Sequence, residues 1–283
     1  MDIKKIGVVG AGQMGAGIAQ IAAANGFIVV LRDVKKELCD NAYKKIKAGL
    51  DKRVAQGKET QVSVDATMQN ISTTISLNGM ADCDLVIEAI PENIELKRAI
   101  FKDLGEICRN DAVLCTNTSS ISITEIMSEC IYPERCAGMH FFFPVMAMRL
   151  VEIIRGDKTS DATIEIIRTI STSLGKIPVL CLSDSPGFIV NRCLFAFMLE
   201  AIRCYEDGIA SVEDIDSAIK YGLSHPLGPF EMMDLSGLDS FPHVCESLQR
   251  LPVTDWSAPE SVTRLISEGR LGRKSGHGWY NYE

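Results

Sequence analysis

Short apolar runs alternate with segments of helical periodicity over residues 1–184 of the chain. The apolar runs read KIGVVG, FIVVLRD, DLVIEAI, AVLCTNT, CAGMHFFF, RLVEIIRG and IPVLCLS. Helical spacing of the apolar positions predicts helices between the early runs, over 14–25, 35–56 and 95–109. Strands that alternate with helices predict a mostly parallel sheet that helices cover on both faces.

The strand pattern stops after the segment SDSPGF, and the apolar positions from 188 to 268 recur with helical spacing. This change of periodicity predicts a domain boundary near 183–186. We therefore predict an α/β Rossmann-type domain over 1–184, followed by an all-α domain over 185–283.

Composition narrows the class of protein. The 283 residues are 46% hydrophobic and 23% charged, which is ordinary for a globular enzyme, and the net charge of −8 argues against a nucleic-acid-binding surface. No apolar stretch approaches the roughly 18 residues of a membrane span, and we expect no signal peptide before the first strand. Ten cysteines are scattered without a C-x-x-C pair, so we expect a reduced, cytoplasmic protein with neither disulfides nor a metal site.

The first strand leads into a glycine loop that is typical of dinucleotide binding. Gly10, Gly12 and Gly15 have the G-x-G-x-x-G spacing, they open a helical segment, and the next strand ends at Asp33. The glycines allow a tight turn, a close approach to a pyrophosphate and close packing of the helix on the strand. Asp33 is placed to accept hydrogen bonds from the adenosine ribose and to repel a 2′-phosphate, which favours NAD. Arg32 leaves NADP open, because a rotated arginine can bind a phosphate.

Other strand ends offer polar side chains where nicotinamide and substrate would lie. One strand ends at Glu88, which is equally typical of a solvated strand end, and another ends at 117–119. The run NTSS also has the pattern of a helix start, so Ser119 is a candidate functional residue and Ser120 a candidate N-cap. The sequence alone leaves this assignment open.

His140 is the one histidine of four that lies at a strand end in the dinucleotide-binding half. A histidine beside three phenylalanines is more often a hydrogen-bonded core residue than a catalyst. Glu152 changes this interpretation, because it interrupts the apolar run LVEII, where an unmatched charge is costly. If the two strands are neighbours, the carboxylate holds His140 as a competent general base.

Several motifs together carry a family resemblance over essentially the whole chain. They are GAGQMGAGIAQ, DLVIEAIPEN, TNTSS, GMHFFFP, LVEIIRG, DSPGFIVNR, GLSHPLGPFEMMDLSGLD and GRKSGHGWYNY, in this order. The chain resembles the short-chain L-3-hydroxyacyl-CoA dehydrogenases, close to the bacterial 3-hydroxybutyryl-CoA dehydrogenases.

The resemblance implies roles for individual residues. His140 would be the catalytic base and Glu152 its partner, while Ser119 and Asn191 would contact the substrate oxygen. The implied cofactor contacts lie on the glycine loop and the strand ends: Gly10, Gly12, Gln13, Met14, Gly15, Asp33, Glu88, Lys97 and Asn117. A helix that helps to hold CoA has Lys52 at one expected position and Gln56 at the other, with Lys58 nearby.

The resemblance also implies an activity and an assembly. The activity is reversible hydride transfer between NAD and a short 3-hydroxyacyl-CoA, interconverting 3-hydroxybutyryl-CoA and acetoacetyl-CoA in fatty acid and butyrate metabolism. The helical domain would complete the substrate site and form the contact of a homodimer. No membrane partner is expected.

One position departs from the family pattern. The family usually reads H-F-F-N-P, and this chain has Phe143 where the asparagine belongs. We expect a more apolar pocket that still turns over. Two alternatives remain: a dehydrogenase of a free sugar acid or hydroxy acid, which Lys52 and Lys58 weakly disfavour, and a non-catalytic NAD-binding protein, which Phe143 keeps open. Intact Ser119, His140, Glu152 and Asn191 argue against the second.

Overall fold

The computed structural model describes residues 3–251 and 256–282, and the chain divides into two compact units, Met1–Ser185 and Pro186–Glu283. The first unit contains a sheet with helices, and the second is helical. The predicted fold class is confirmed. Among the residues described, no helix is both long and apolar enough to span a membrane.

The first unit is built on an eight-stranded sheet with the order β3-β2-β1-β4-β5-β6-β7-β8. Its strands are β1 Lys5–Val9, β2 Ile28–Arg32, β3 Ile71–Thr74, β4 Leu85–Glu88, β5 Val113–Thr116, β6 Cys136–Phe141, β7 Leu150–Ile154 and β8 Ile177–Cys181. Strands β6 and β7 pair antiparallel, and the other neighbours pair parallel. The strand order reverses between β1 and β4, which is where an open α/β sheet forms its ligand crevice.

All seven predicted strands are present, and β3 was not predicted. The central strands are apolar runs because they are buried on both faces; Ile6, Val8 and Ile87 have no exposed surface. In β3 the sequence is ISTT and Ile71 is its one buried residue, so the segment has no apolar run.

Helices cover the sheet, and they are α1 Gln13–Ala24, α2 Lys36–Ala55, α3 Gln61–Gln69, α4 Ile94–Ile107, α5 Ile123–Ile126 and α6 Asp161–Ser173. The three helices predicted from periodicity are confirmed to within two residues at each end. Ser120 as an N-cap is wrong: the hydroxyl of Ser122 accepts the backbone N–H of Glu125 at 3.2 Å and caps α5. The cap lies two residues later because the chain after β5 first makes a turn.

Asp84 directly precedes β4 and stabilises the sheet at the amino-terminal ends of β1 and β4. Its Oδ2 accepts the backbone N–H groups of Lys4 and Lys5 at 2.8 Å each, and its Oδ1 accepts from Arg109 at 2.7 Å. Burial works to raise the pKa of Asp84, but these hydrogen bonds and the guanidinium outweigh burial, so its pKa lies below the usual value. The carboxylate therefore stabilises the folded state when it is ionised.

The second unit consists of α7 Val190–Glu206, α8 Val212–Leu223, α9 Pro229–Ser236, α10 Phe241–Leu248 and α11 Glu260–Ser267. Its core includes Phe195, Leu199 and Ile202 of α7. Two buried carboxylates bind the C-terminal segment. Asp216 accepts from the Tyr280 hydroxyl at 2.8 Å, and Asp234 accepts the backbone N–H of Tyr280 at 2.9 Å. These bonds join α8 and α9 to the segment that contains GWYNY.

Candidate active site

The glycine loop between β1 and α1 has the geometry that a dinucleotide requires. Gly10 has φ +110°, in the region that favours glycine, and a Cβ at this position would lie 2.5 Å from the carbonyl oxygen of Ala89. A Cβ at Gly15 would lie 1.8 Å from the carbonyl oxygen of Gly10. At Gly12 a Cβ would meet no atom within 4 Å, so the space over the loop is open. The N-terminus of α1 faces this space with the positive end of its dipole.

Asp33 lies just beyond β2, beside the loop. Its Oδ2 accepts the backbone N–H of Ala11 at 2.7 Å, and its Oδ1 accepts the N–H of Val34 at 2.7 Å. Each carboxylate oxygen keeps a further lone pair for a ribose hydroxyl. The Nε of Arg32 donates to the carbonyl of Ile75 at 3.3 Å, so this side chain is engaged on the β3 side. The loop and the acid thus fit NAD, whose adenosine ribose Asp33 would hold.

Glu88 ends β4, but its side chain turns inward. It has no exposed surface, and it accepts from the Nζ of Lys97 and from the hydroxyl of Thr116, each at 2.7 Å. The alternative of a solvated strand-end carboxylate is therefore wrong for Glu88, while its contact with the cofactor stays a prediction. Lys97 is also 1% exposed, because its ammonium is drawn to two carboxylates, Glu88 at 2.7 Å and Glu92 at 3.3 Å. Glu88 and Lys97 therefore form a buried ion pair, and Lys97 also contacts the partly exposed side chain of Glu92.

The exposed carboxylate beside Ser119 is that of Glu92, a residue that the sequence analysis did not identify. Its side chain is 41% exposed, and it accepts the backbone N–H of Ser119 at 2.7 Å and the Ser119 hydroxyl at 3.1 Å. The hydroxyl of Thr118 donates to the same carboxylate at 3.0 Å. A signal was present: Asn93 is the N-cap of α4, so the residue before it had to lie in the turn at the sheet edge.

His140 and Glu152 form a buried pair across the antiparallel strands β6 and β7. The register places them directly opposite each other, and the Nδ1 of His140 lies 2.8 Å from an Oε of Glu152. The two side chains are 7% and 1% exposed. The ring of Phe142 packs on the imidazole with 4.4 Å between centroids. An ionised Glu152 accepts the Nδ1–H of His140 and thereby fixes the tautomer and the orientation of the imidazole.

Asn117 joins the end of β5 to the strand that carries His140. Its Oδ1 accepts the backbone N–H of Phe141 at 2.8 Å. The polar ends of β4, β5 and β6 thus meet at one edge of the sheet, as expected for parallel strands. The role of Asn117 toward a cofactor stays a prediction.

A cavity of about 690 Å³ lies beside the glycine loop. Its walls come from the loop and α1, which include Gly12 and Gln13, from the first half of α2, and from the segment 143–146. Phe143 is 56% exposed and forms part of this wall. Met14 is half-buried against the core of the first unit. Phe143, which departs from the family pattern, therefore lies in the wall of the cavity beside the glycine loop.

The remaining predicted site residues are Lys52, Lys58 and Asn191. Lys52 is exposed in the last turn of α2, and Lys58 is exposed beyond that helix. Asn191 lies in the first turn of α7, in the second unit, and its role stays a prediction. Within residues 3–251 and 256–282 there is no group of three or more His, Cys, Asp or Glu side chains suited to a metal ion.

Comparison with known proteins gives the same family for both units. Residues 5–185 match the model described as 3-hydroxyacyl-CoA dehydrogenase, NAD binding domain, and residues 187–282 match its C-terminal domain. A probable 3-hydroxybutyryl-CoA dehydrogenase of Deinococcus radiodurans is 44% identical, over 98% of this chain and 100% of its own. A probable 3-hydroxyacyl-CoA dehydrogenase of Caenorhabditis elegans is also 44% identical, over 100% of this chain and 97% of its own. The crystal structure of (S)-3-hydroxybutyryl-CoA dehydrogenase from Ralstonia eutropha, 37% identical, matches with a TM-score of 0.95 over 100% of both chains.

Proposed function

The chain belongs to the 3-hydroxyacyl-CoA dehydrogenase family and is an NAD-dependent oxidoreductase of 3-hydroxyacyl-CoA, and we propose that its preferred substrate pair is 3-hydroxybutyryl-CoA and acetoacetyl-CoA. The observation that carries the chemistry is the buried pair of His140 and Glu152 at the strand edge. Relatives of similar length that are named for the four-carbon substrate support the choice of acyl chain.

We propose a part in the reaction for His140 and Glu152, and for three residues that position the substrate, Ser119, Asn191 and Glu92. NAD, when bound, supplies or accepts the hydride. In oxidation, the Nε2 of His140 removes the proton of the 3-hydroxyl group, and Glu152 stabilises the imidazolium that forms. Ser119 and Asn191 orient the substrate oxygen, and Glu92 fixes the position of Ser119 through two hydrogen bonds. In reduction, the same imidazolium returns the proton to the oxygen.

The CoA moiety of the substrate is proposed to bind to a different set of residues. CoA carries phosphates, and we propose that exposed Lys52 and Lys58 attract them. We propose that Phe143 makes the cavity wall more apolar than the family's asparagine would, and that it thereby tunes acyl preference while turnover is kept.

We also propose that the protein acts in the cytoplasm in butyrate metabolism, and that the helical unit forms the contact of a homodimer. Light scattering of the purified protein over a range of concentrations tests the dimer. A single monomeric mass at all concentrations contradicts it.

The activity is tested with acetoacetyl-CoA and NADH by the loss of NADH absorbance. NADPH replaces NADH in one control, and free acetoacetate replaces the thioester in another. We expect rapid oxidation that needs both NADH and the CoA moiety. Turnover of free hydroxy acids or sugar acids alone would support a different dehydrogenase, and NADH binding without any turnover would support a non-catalytic protein.

The assignment of the base is tested with His140→Gln in the same assay. General acid–base catalysis typically contributes about 10²–10⁴-fold, so kcat should fall by at least about 100-fold. NADH affinity, measured by fluorescence, should be unchanged. A loss of kcat below about tenfold means that another group moves the proton.

A further inference from the structure

Lys176 is a buried lysine without a role in the reaction described above. It follows Gly175, which has φ +71°, and it lies one residue before β8. Its relative exposure is 6%, and its ammonium donates to the carbonyl oxygens of Val145 and, at 2.7 Å, of Met148. Burial lowers the pKa of Lys176. Within the part of the chain that the structure describes, these two carbonyls are the hydrogen-bond partners of the ammonium group.

Both carbonyls belong to the segment 142–149, which connects His140 on β6 to Glu152 on β7. The segment has no strand or helix of its own. The backbone N–H groups of Ala147 and Met148 donate to the carbonyl of Pro144 at 2.9 Å each, so it forms a tight turn. The ammonium of Lys176, the residue before β8, donates to two carbonyl groups of this segment.

The same segment forms a wall of the cavity beside the glycine loop, which we propose takes the acyl chain. Val145 is 3% exposed and packs on α1 at Gly17, where an added Cβ would lie 2.9 Å from the Val145 side chain. Phe143 and Met146, on either side of this contact, face the cavity with Gly12 and Gln13. A shift of the segment would therefore change the shape of the cavity.

The buried charge of Lys176 is compensated by hydrogen bonds to backbone carbonyls. A buried ammonium costs free energy unless hydrogen bonds or counter-charges compensate it. No carboxylate among residues 3–251 and 256–282 lies within ion-pair distance of Lys176, so carbonyl dipoles alone compensate its charge. An apolar residue would fill this position at lower desolvation cost, but it could not bind two carbonyls of a turn that lacks regular structure.

We infer that Lys176 is a positioning residue for the dehydrogenase reaction, holding the segment 142–149 in the conformation that shapes the substrate cavity. The inference rests on the proposed function. It predicts an effect on substrate binding more than on chemistry, because backbone pairing of β6 with β7 places His140 opposite Glu152 independently of the segment between them.

The test variant is Lys176→Met, which keeps most of the side-chain volume and removes the ammonium. The matched control is Arg135→Met. Arg135 is also a buried cation, 5% exposed, and it donates to backbone carbonyls, including those of Ala112 and Gly105 at 3.1 Å, away from the segment 142–149. Both variants should be less stable than the wild type. Lys176→Gln serves in place of Lys176→Met if the methionine variant does not fold, with the same expected directions.

Two readouts separate positioning from a merely structural role. We expect the KM for acetoacetyl-CoA to rise by about tenfold in Lys176→Met with kcat within about threefold, since loss of uniform binding raises KM alone. In the control, both constants should stay within about twofold. Hydrogen exchange followed by mass spectrometry should show faster exchange in a peptide covering 142–149 for Lys176→Met, and an unchanged rate there for Arg135→Met.

Each other outcome overturns the inference. An unchanged exchange rate means that Lys176 does not hold the segment, and faster exchange with unchanged KM means that the segment does not shape the substrate site. A fall of kcat with unchanged KM means that Lys176 acts on the chemistry instead. Hydrogen exchange needs no substrate, so it tests the contact of Lys176 with the segment 142–149 even if the protein is inactive. If the wild type does not reduce acetoacetyl-CoA, the proposed function is refuted, and the exchange rates still show whether Lys176 holds the segment.

Discussion

Replacing Glu152 with glutamine tests what the buried carboxylate contributes to catalysis. The substitution keeps the size of the side chain and an oxygen that can accept the Nδ1–H of His140. It removes the negative charge that faces the imidazolium. Because the two side chains are 1% and 7% exposed, water cannot replace that charge. The variant therefore isolates the electrostatic part of the pair.

The geometry sets the size of the effect. The Nδ1 of His140 lies 2.8 Å from an oxygen of Glu152, and the two delocalised charges are centred somewhat further apart. At about 4 Å and an effective dielectric constant of about 20, their attraction is about 4 kcal/mol. As a lower bound, a hydrogen bond to a charged group contributes about 1.5 kcal/mol. These limits correspond to a fall in kcat of about tenfold to about 1,000-fold.

The assay is NADH oxidation with saturating acetoacetyl-CoA, and NADH binding is measured separately by fluorescence. Asp84→Asn is the matched control, because it also changes a mostly buried carboxylate of the first unit to an amide, but at the opposite edge of the sheet. We expect kcat to fall in Glu152→Gln and to stay within about twofold in Asp84→Asn, with NADH affinity unchanged in both. A loss below about threefold in Glu152→Gln would refute the view that this carboxylate stabilises the imidazolium.

Three further predictions concern the cofactor, the cavity and stability. Asp33→Asn should lower kcat/KM for NADH by about tenfold and narrow the preference over NADPH, because it removes the charge that repels a 2′-phosphate; an unchanged NADH-to-NADPH ratio would contradict this role. Phe143→Asn should change the dependence of kcat/KM on acyl length while kcat with acetoacetyl-CoA stays within about threefold, and an identical acyl profile would mean that Phe143 does not contact the acyl chain. Asp84→Asn should lower the free energy of unfolding at pH 7 by about 1–3 kcal/mol, measured by urea denaturation. Since the pKa of Asp84 is lowered by folding, the wild type should lose this advantage as the pH falls below about 4, and a constant difference down to pH 2 would contradict the assignment.

The sequence predicted those parts of the fold whose signal lies within one element. The central strands are continuous apolar runs because both of their faces are buried, and the covering helices have an apolar stripe. Strand β3 lacks this signal, because it lies at the edge of the sheet and buries Ile71 alone. Its position depends on pairing with β2, which is a long-range property that a four-residue pattern does not encode.

The same distinction explains which site residues were found. Glu152 interrupts an apolar strand, and its register opposite His140 brings two such interruptions together, so a short pattern was sufficient. Glu92 interrupts nothing. It is one polar residue in a turn, and its importance comes from Ser119, which is brought beside it by the folding of a different strand. Glu88 was assigned outward because it ends a strand, whereas its direction is decided by Lys97 on the following helix.

Three buried charged side chains of the first unit are compensated by three different kinds of partner. Lys97 lies beside Glu88, the imidazole of His140 lies beside Glu152, and two carbonyl groups lie beside the ammonium of Lys176. Lys97 also lies 3.3 Å from Glu92, and His140 with Glu152 is the pair to which we assign the proton transfer. Dipoles of a turn hold that turn, but they bind the cation less strongly than a carboxylate would. Loss of the Lys176 ammonium is therefore expected to loosen the segment 142–149, while the pairing of His140 with Glu152 is kept.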